Sequence, residues 1–209
     1  GARKGMAGAC KFFAKKSVLY IPGIGLGLWI MHGVFLSRNW EKDQSSIQKA
    51  FERQRKLVGH PLWMTTYPES TRLSPEKKAL SHEFARVHNL PMWEHVLVPR
   101  TKGFVAQVKG LRDIVPALYD LTIAYGGKDH LPPTPLDMGC GYFNHPVYVH
   151  CKRFAMEDLP TDEEDLKNWL FERWQEKEKI LAYFHEHNRF PGKRIPEQFK
   201  MIPVWKKVK

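Results

Sequence analysis

The stretch Pro68-Glu69-Ser70-Thr71-Arg72 holds residue types that could do chemistry together. Ahead of it, Leu62 to Tyr67 is a short apolar run rich in Trp, Thr and Tyr, which reads as a buried strand. Behind it, Ser74-Pro75-Glu76 is an N-cap followed by proline at the first helical position. A loop between such elements aims backbone N–H groups from a helix start, where anions bind. Arg72 can grip a phosphate with two parallel hydrogen bonds. Taken alone, a pentapeptide of this kind is more often a loop with a salt-bridged arginine.

The elements that must position it follow from periodicity. Asp43 to Val58 places Ile47, Ala50, Phe51, Leu57 and Val58 on one side, the spacing of an amphipathic helix. Leu80, Phe84 and Val87 continue a helical stripe after the Ser74 cap, and Pro91 stops it. His95 to Pro99 reads as a second strand and Leu118 to Tyr125 as a third, ended by Gly126-Gly127. Val147, Val149 and Cys151 alternate with Tyr148, His150 and Lys152, again a strand, and Lys128 to Pro146 is a Pro- and Gly-rich loop. Thr161 with Glu164 forms a capping box, and Leu166, Trp169, Leu170, Trp174, Leu181 and Phe184 trace one face of a long helix. Strands alternating with helices predict an α/β layered domain with a mostly parallel or mixed sheet flanked by helices.

The 209 residues, 43% hydrophobic with 12 Phe, 7 Trp and 7 Tyr, suffice for one substantial core. The formal charge of +11 sits at the ends. Residues 1–17 carry five Lys or Arg and no acid, residues 193–209 carry six against Glu197, and the body between is nearly neutral. The organisation read from this is a basic N-terminal segment over 1–17, a domain over 18–192 and a basic tail over 193–209. Basic ends on a neutral body suit an anionic membrane face; RNA is the weaker reading of the same charge. Three cysteines at irregular spacing make no disulfide framework. Val18 to Leu36 has no charge but is interrupted by Pro22, Gly23, Gly25, Gly27 and Gly33, so it reads as a buried or half-inserted segment rather than a span. Cys140, His145, His150 and Cys151 can be drawn as a metal site. However, His150 and Cys151 are strand neighbours pointing to opposite faces, so no metal is expected.

Several of these stretches together resemble the lysophospholipid acyltransferases, including the 1-acylglycerol-3-phosphate acyltransferases and their lysophosphatidate and lysocardiolipin branch. Tyr67 to Arg72 is similar to the family's third motif, Phe-Pro-Glu-Gly-Thr-Arg, and Gly33-Val34-Phe35-Leu36-Ser37-Arg38 to its second, at the family's spacing. Val96-Leu97-Val98-Pro99 resembles the fourth, and Arg100-Thr101-Lys102-Gly103-Phe104, Asp162-Glu163-Glu164, Trp169-Leu170 and Glu176 to Lys179 resemble the branch. The likeness extends from about Lys15 to Gly192.

The resemblance implies transfer of an acyl chain from acyl-CoA to the free hydroxyl of a lysophospholipid, with acyl-CoA as co-substrate and no further cofactor. It implies that Arg38 and Arg72 hold substrate phosphate by charge, Glu69 and Ser70 by shaping the loop and Thr71 by its hydroxyl, supported by Gly33, Pro68 and Pro99. Membrane phospholipid and lysophospholipid would be partners, at an endoplasmic reticulum or mitochondrial membrane. Two departures stand out. In the family a His, oriented by an Asp five positions on, takes the hydroxyl proton. None of the ten His here has that Asp; the pair is expected just upstream. The family glycine is Ser70, whose Cβ is penalised in backbone angles that glycine takes freely. The alternative these departures leave is a non-catalytic, lipid-binding subunit of a larger membrane assembly.

Overall fold

In the computed structural model, which describes residues 9–30, 33–37, 40–56, 62–127, 132, 134 and 146–192, the centre of the sheet lies early in the chain. Strand β1 (Cys10–Lys15) runs between β2 (Val34–Leu36) and β3 (Trp63–Thr65), parallel to both. Phe13 faces Val34 and Phe12 faces Thr65 in register. Residues 10–15 of the basic stretch are thus sheet, and Lys11 is buried there. The run ahead of Pro68 forms only the three residues of β3, and Trp63 is 49% exposed, so that strand is an edge and not the buried one expected.

Between β1 and β2 the apolar segment folds as a 3₁₀ turn (Lys16–Tyr20) and the seven-residue helix α1 (Ile24–Ile30). A Cβ on Gly25 would lie 2.2 Å from the Leu19 carbonyl oxygen, so glycine permits the turn and helix to meet. Of the two readings, buried or half-inserted, burial within this chain fails on the outer side: Tyr20 is 85% and Trp29 62% exposed, and Leu26 and Ile30 are exposed too. No helix among the described residues is long and apolar enough to cross a membrane.

Helix α2 (Trp40–Lys56) carries Glu41 and Asp43 in its first turn and Arg53, Arg55 and Lys56 in its last, matching the helix dipole. Its Ile47 and Phe51 bury against Val34 and Leu111. Leu57 and Val58 of the expected helix lie outside the described residues. Helix α3 (Pro75–Val87) starts where the sequence places it, with Ser74 Oγ accepting from the Lys77 N–H at 3.3 Å. Its stripe turns outward: Leu80, Phe84 and Val87 are exposed, and Ala85 alone is buried.

Helix α4 (Thr101–Leu111) buries Phe104, Val105, Val108 and Leu111, a helical spacing not read from the sequence. It crosses α2 at Gly110, where a Cβ would meet the Phe51 ring at 2.3 Å. Strands β4 (Ala117–Tyr125) and β5 (Val147–Ala155) pair antiparallel, Ile123 opposite Val149, close to the expected limits. Their inner face, including Ala124, Tyr148 and Phe154, packs on the main core, while Tyr119, Leu121, Ile123, Val147 and Val149 face out. Most of the Lys128–Pro146 loop, Cys140 and His145, and the basic tail lie outside the described residues.

Helix α5 (Glu163–His187) supplies Leu166, Leu170, Trp174, Leu181 and Phe184 to that core. Its cap is Asp162, one residue past the Thr161 expected. The Asp162 carboxylate accepts from Glu164 N at 2.7 Å and Asp165 N at 3.3 Å, which holds its pKa below the ordinary value. His95 to Pro99 is not a strand. Its N–H groups go to side chains instead of a ladder: Glu94 and His95 donate to Glu178, Leu97 to Glu69 and Val98 to Ser81. With its donors so occupied, the segment needs no strand neighbour.

Arg112 joins the end of α4 to the turn after β5, donating to the carbonyls of Met156 (3.0 Å), Leu159 (3.1 Å) and Pro160. Removing the guanidinium strands several carbonyls at once, each worth about 1 kcal/mol or more when buried. Arg112→Ala should lower unfolding free energy by roughly 2 to 3 kcal/mol in urea denaturation.

Candidate functional site

Parallel strands end on the same side of a sheet, and α/β folds place ligands at the carboxyl ends of such strands. Ser37 follows β2 and Thr66 follows β3, so the chain at Ser37 and the Pro68–Arg72 stretch leave the sheet at the same end, separated by β1. Two strand spacings amount to about 10 Å. Arg38 itself lies outside the described residues, but the turn leading to it is fixed: Asp43 Oδ1, buried in the first turn of α2, accepts from both Ser37 N and Ser37 Oγ at 2.8 Å. Gly33 sits at the start of β2, its N–H donating to Leu28 O at 2.8 Å, and a Cβ there would be 3.0 Å from that oxygen.

The second loop begins as a β-turn, with Pro68 and Glu69 at its corners and Ser70 N donating to Tyr67 O at 2.9 Å. Proline presets the backbone angle that the first corner requires. The chain then enters the left-handed region at Ser70, φ +59°. That is the glycine position of the resembled motif, and the strain expected of a serine there is present. Arg100 N donates to Pro68 O at 2.9 Å, which ties the loop to the start of α4 just after the buried Pro99.

The loop residues divide by direction. Glu69 turns inward, where its Oε2 accepts from Leu97 N at 3.2 Å. Burial raises its pKa above the ordinary 4.5, against the lowering pull of the Leu97 N–H, the Trp174 indole and the Lys177 charge. The Trp174 Nε1 is buried and outside normal hydrogen-bond reach, so its effect on Glu69 is that of a nearby dipole. Thr71 and Arg72 turn outward and are exposed, and neither has a hydrogen bond or ion pair among the described residues. Glu69 therefore shapes the loop from inside and offers nothing to an anion outside.

Arg100 is exposed at the start of α4, tied to the loop by its N–H on Pro68 O, while the exposed Lys102 borders the groove between α4 and α2. Sequence reasoning took Arg100 only as a mark of resemblance and missed its placement. The amphipathic spacing of α4 was the signal that could have found it. Arg72 and Arg100 are cations whose side chains have no partner among the described residues, which suits a phosphate monoester.

Residues 2–125 match the family model for acyltransferases, and residues 140–207 match that for the acyltransferase C-terminus. The chain belongs to the acyltransferase family. It is 36% identical over 192 residues to 1-acyl-sn-glycerol-3-phosphate acyltransferase 2 of Brassica napus, covering 92% of this chain and 48% of that protein. It is 36% identical over 201 residues to the gamma enzyme of Homo sapiens, 95% of this chain and 50% of that one. The delta enzyme of Mus musculus is 34% identical over 189 residues, 90% and 49%. The chain thus spans about half the length of the curated relatives it matches. No solved structure matches it.

Two outcomes follow from the loop geometry. A left-handed residue with a Cβ carries a cost of about 1 kcal/mol or more, partly offset by the freer unfolded chain of a glycine. Ser70→Gly should therefore stabilise by roughly 0.5 kcal/mol, read as a higher urea midpoint. Glu69, whose folded pKa is raised, favours folding most when protonated, so its contribution declines as pH rises from about 4.5 through its folded pKa. The stability of Glu69→Gln relative to the parent should rise across that window, measured as the difference in Tm at successive pH values.

Proposed function

We propose that this chain holds the substrate phosphate in an acyl-CoA-dependent lysophosphatidate acyltransferase, which moves an acyl chain to the free hydroxyl of a 1-acylglycerol 3-phosphate. The observation that carries it is the outward Arg72, unpaired among the described residues, on the strained Pro68–Arg72 turn at the carboxyl edge of a parallel sheet. The named relatives support the choice of a glycerol phosphate monoester among phosphates. Arg72 and Arg38 supply charge to the phosphate, Thr71 a hydroxyl, and Glu69 and Ser70 the backbone path. The attacking hydroxyl must lose a proton to a base, and no His of these 209 residues has the Asp partner five positions on. The assignment here is to the phosphate-holding half of the chemistry.

The exposed Tyr20, Leu26, Trp29 and Ile30, next to exposed Lys15 and Lys16, form an apolar face with a basic margin. Apolar side chains with flanking cations suit an anionic lipid surface, and an amphiphilic substrate would be met there. We place the protein on such a surface, at an endoplasmic reticulum or mitochondrial membrane.

Arg72→Ala should weaken lysophosphatidate binding about 10- to 100-fold, the usual loss for a charge-assisted bond, in isothermal titration with a short-chain lysophosphatidate. Equal binding of monoacylglycerol and lysophosphatidate by the parent chain would sink the phosphate assignment. Trp29→Ala with Ile30→Ala should reduce cosedimentation with phosphatidylserine-containing vesicles several-fold while Tm stays unchanged. Undiminished vesicle binding would sink the membrane face.

A further inference from the structure

We propose that α5 is the positioning element of the phosphate-binding loop, with Glu178 holding the segment that lies behind the loop. The inference rests on the reading of Pro68–Arg72 as the phosphate site. It gives a part to a segment that lies a hundred residues further along the chain.

Lys177 is only 6% exposed, an unusual place for an ammonium group unless every donor is met. Its Nζ donates to Leu121 O at 2.8 Å and Thr122 Oγ1 at 3.0 Å, and it pairs with Asp120. It also stands 5.4 Å from the centre of the Trp174 ring. Trp174 and Lys177 lie three apart on the helix and so share a face. Both side chains favour the charged form of Glu69, but Lys177 spends its donors on β4 and the Trp174 N–H has no hydrogen-bond partner among the described residues. One position on, Glu178 uses one oxygen for Glu94 N at 3.0 Å and the other for His95 N at 2.9 Å. The 94–100 segment so held supplies Leu97 N to Glu69 and Arg100 N to Pro68 O.

Both of the loop's inner contacts therefore run through the segment that Glu178 holds. Within the loop, Ser70 N donates to Tyr67 O across the turn. What Glu178 supplies is direction: its two oxygens fix Glu94 N and His95 N, and with them the place of the Leu97 N–H that Glu69 accepts. Fixing Glu69 inward leaves Thr71 and Arg72 outward.

Hydrogen exchange of backbone amides in the full chain tests this without any ligand. In Glu178→Leu, the amides of Glu94, Leu97 and Arg100 should exchange at least tenfold faster, while the β4–β5 amides change less than threefold. Glu178→Gln, which keeps one acceptor oxygen, should fall between Glu178→Leu and the parent. Loop amides that exchange as in the parent, or a uniform acceleration across the molecule in both Glu178→Leu and Glu178→Gln, would overturn the inference. Titration with lysophosphatidate is the second arm, and Glu178→Leu should lose about tenfold in affinity at temperatures where it is folded. If the parent chain itself fails to bind lysophosphatidate, the functional reading falls, and the positioning role is decided by exchange alone.

Discussion

A carboxylate withdrawn from water must be met by donors, and Glu69 is met by the backbone N–H of Leu97. Because the group is buried, a loose arrangement would be costly, so the segment that carries Leu97 must be held in place. This requirement explains why the 94–100 segment is irregular yet fixed: its donors serve carboxylates and a hydroxyl instead of a strand partner. The buried Lys177 of the late helix meets the same demand on β4, pairing with Asp120 and donating to Leu121 O and Thr122 Oγ1.

The same chain leaves much apolar surface outward. The α1 face, the α3 stripe and the outer face of β4–β5 all present large side chains to solvent. A soluble monomer seldom exposes contiguous patches of this kind, so their presence agrees with a protein that works against another surface. They also mark the limit of periodicity as a guide. A helical stripe at Leu80, Phe84 and Val87 tells that a helix has an apolar side, not what lies against it.

What was legible in the sequence was mostly local. The Ser74 cap with Pro75, the extents of β4 and β5, and the long α5 follow from short-range chemistry, and the structure keeps them. What was not legible depends on partners far away. Cys10–Lys15 carries basic residues and no clear alternation, yet it is the central strand because β2 and β3 flank it. His95 to Pro99 has the composition of a strand, but Glu178, Glu69 and Ser81 take the N–H groups of His95, Leu97 and Val98. The Asp162 cap replaces the Thr161 box by one residue, a shift that two adjacent oxygen-bearing side chains leave open. Of the site, the outward arginine and the strained serine could be read from the motif alone. The hold of Glu178 on Glu94 and His95 could not, since 84 and 83 residues separate the partners.

The strain at Ser70 and the knot around Glu69 belong to one arrangement. A turn that places one side chain fully inward and the next but two fully outward needs an abrupt change of backbone direction between them. The left-handed residue supplies that change. Glycine would adopt it freely but would give the unfolded loop more states, whereas serine accepts a local cost and relies on neighbours to enforce the geometry. The Arg100 N to Pro68 O bond and the Glu69 contacts are that enforcement on either side of the strained residue. A loop built this way does not depend on a ligand to become ordered. Glu69, the acid within it, is turned inward and engaged with Leu97, so it does not neutralise the outward Arg72.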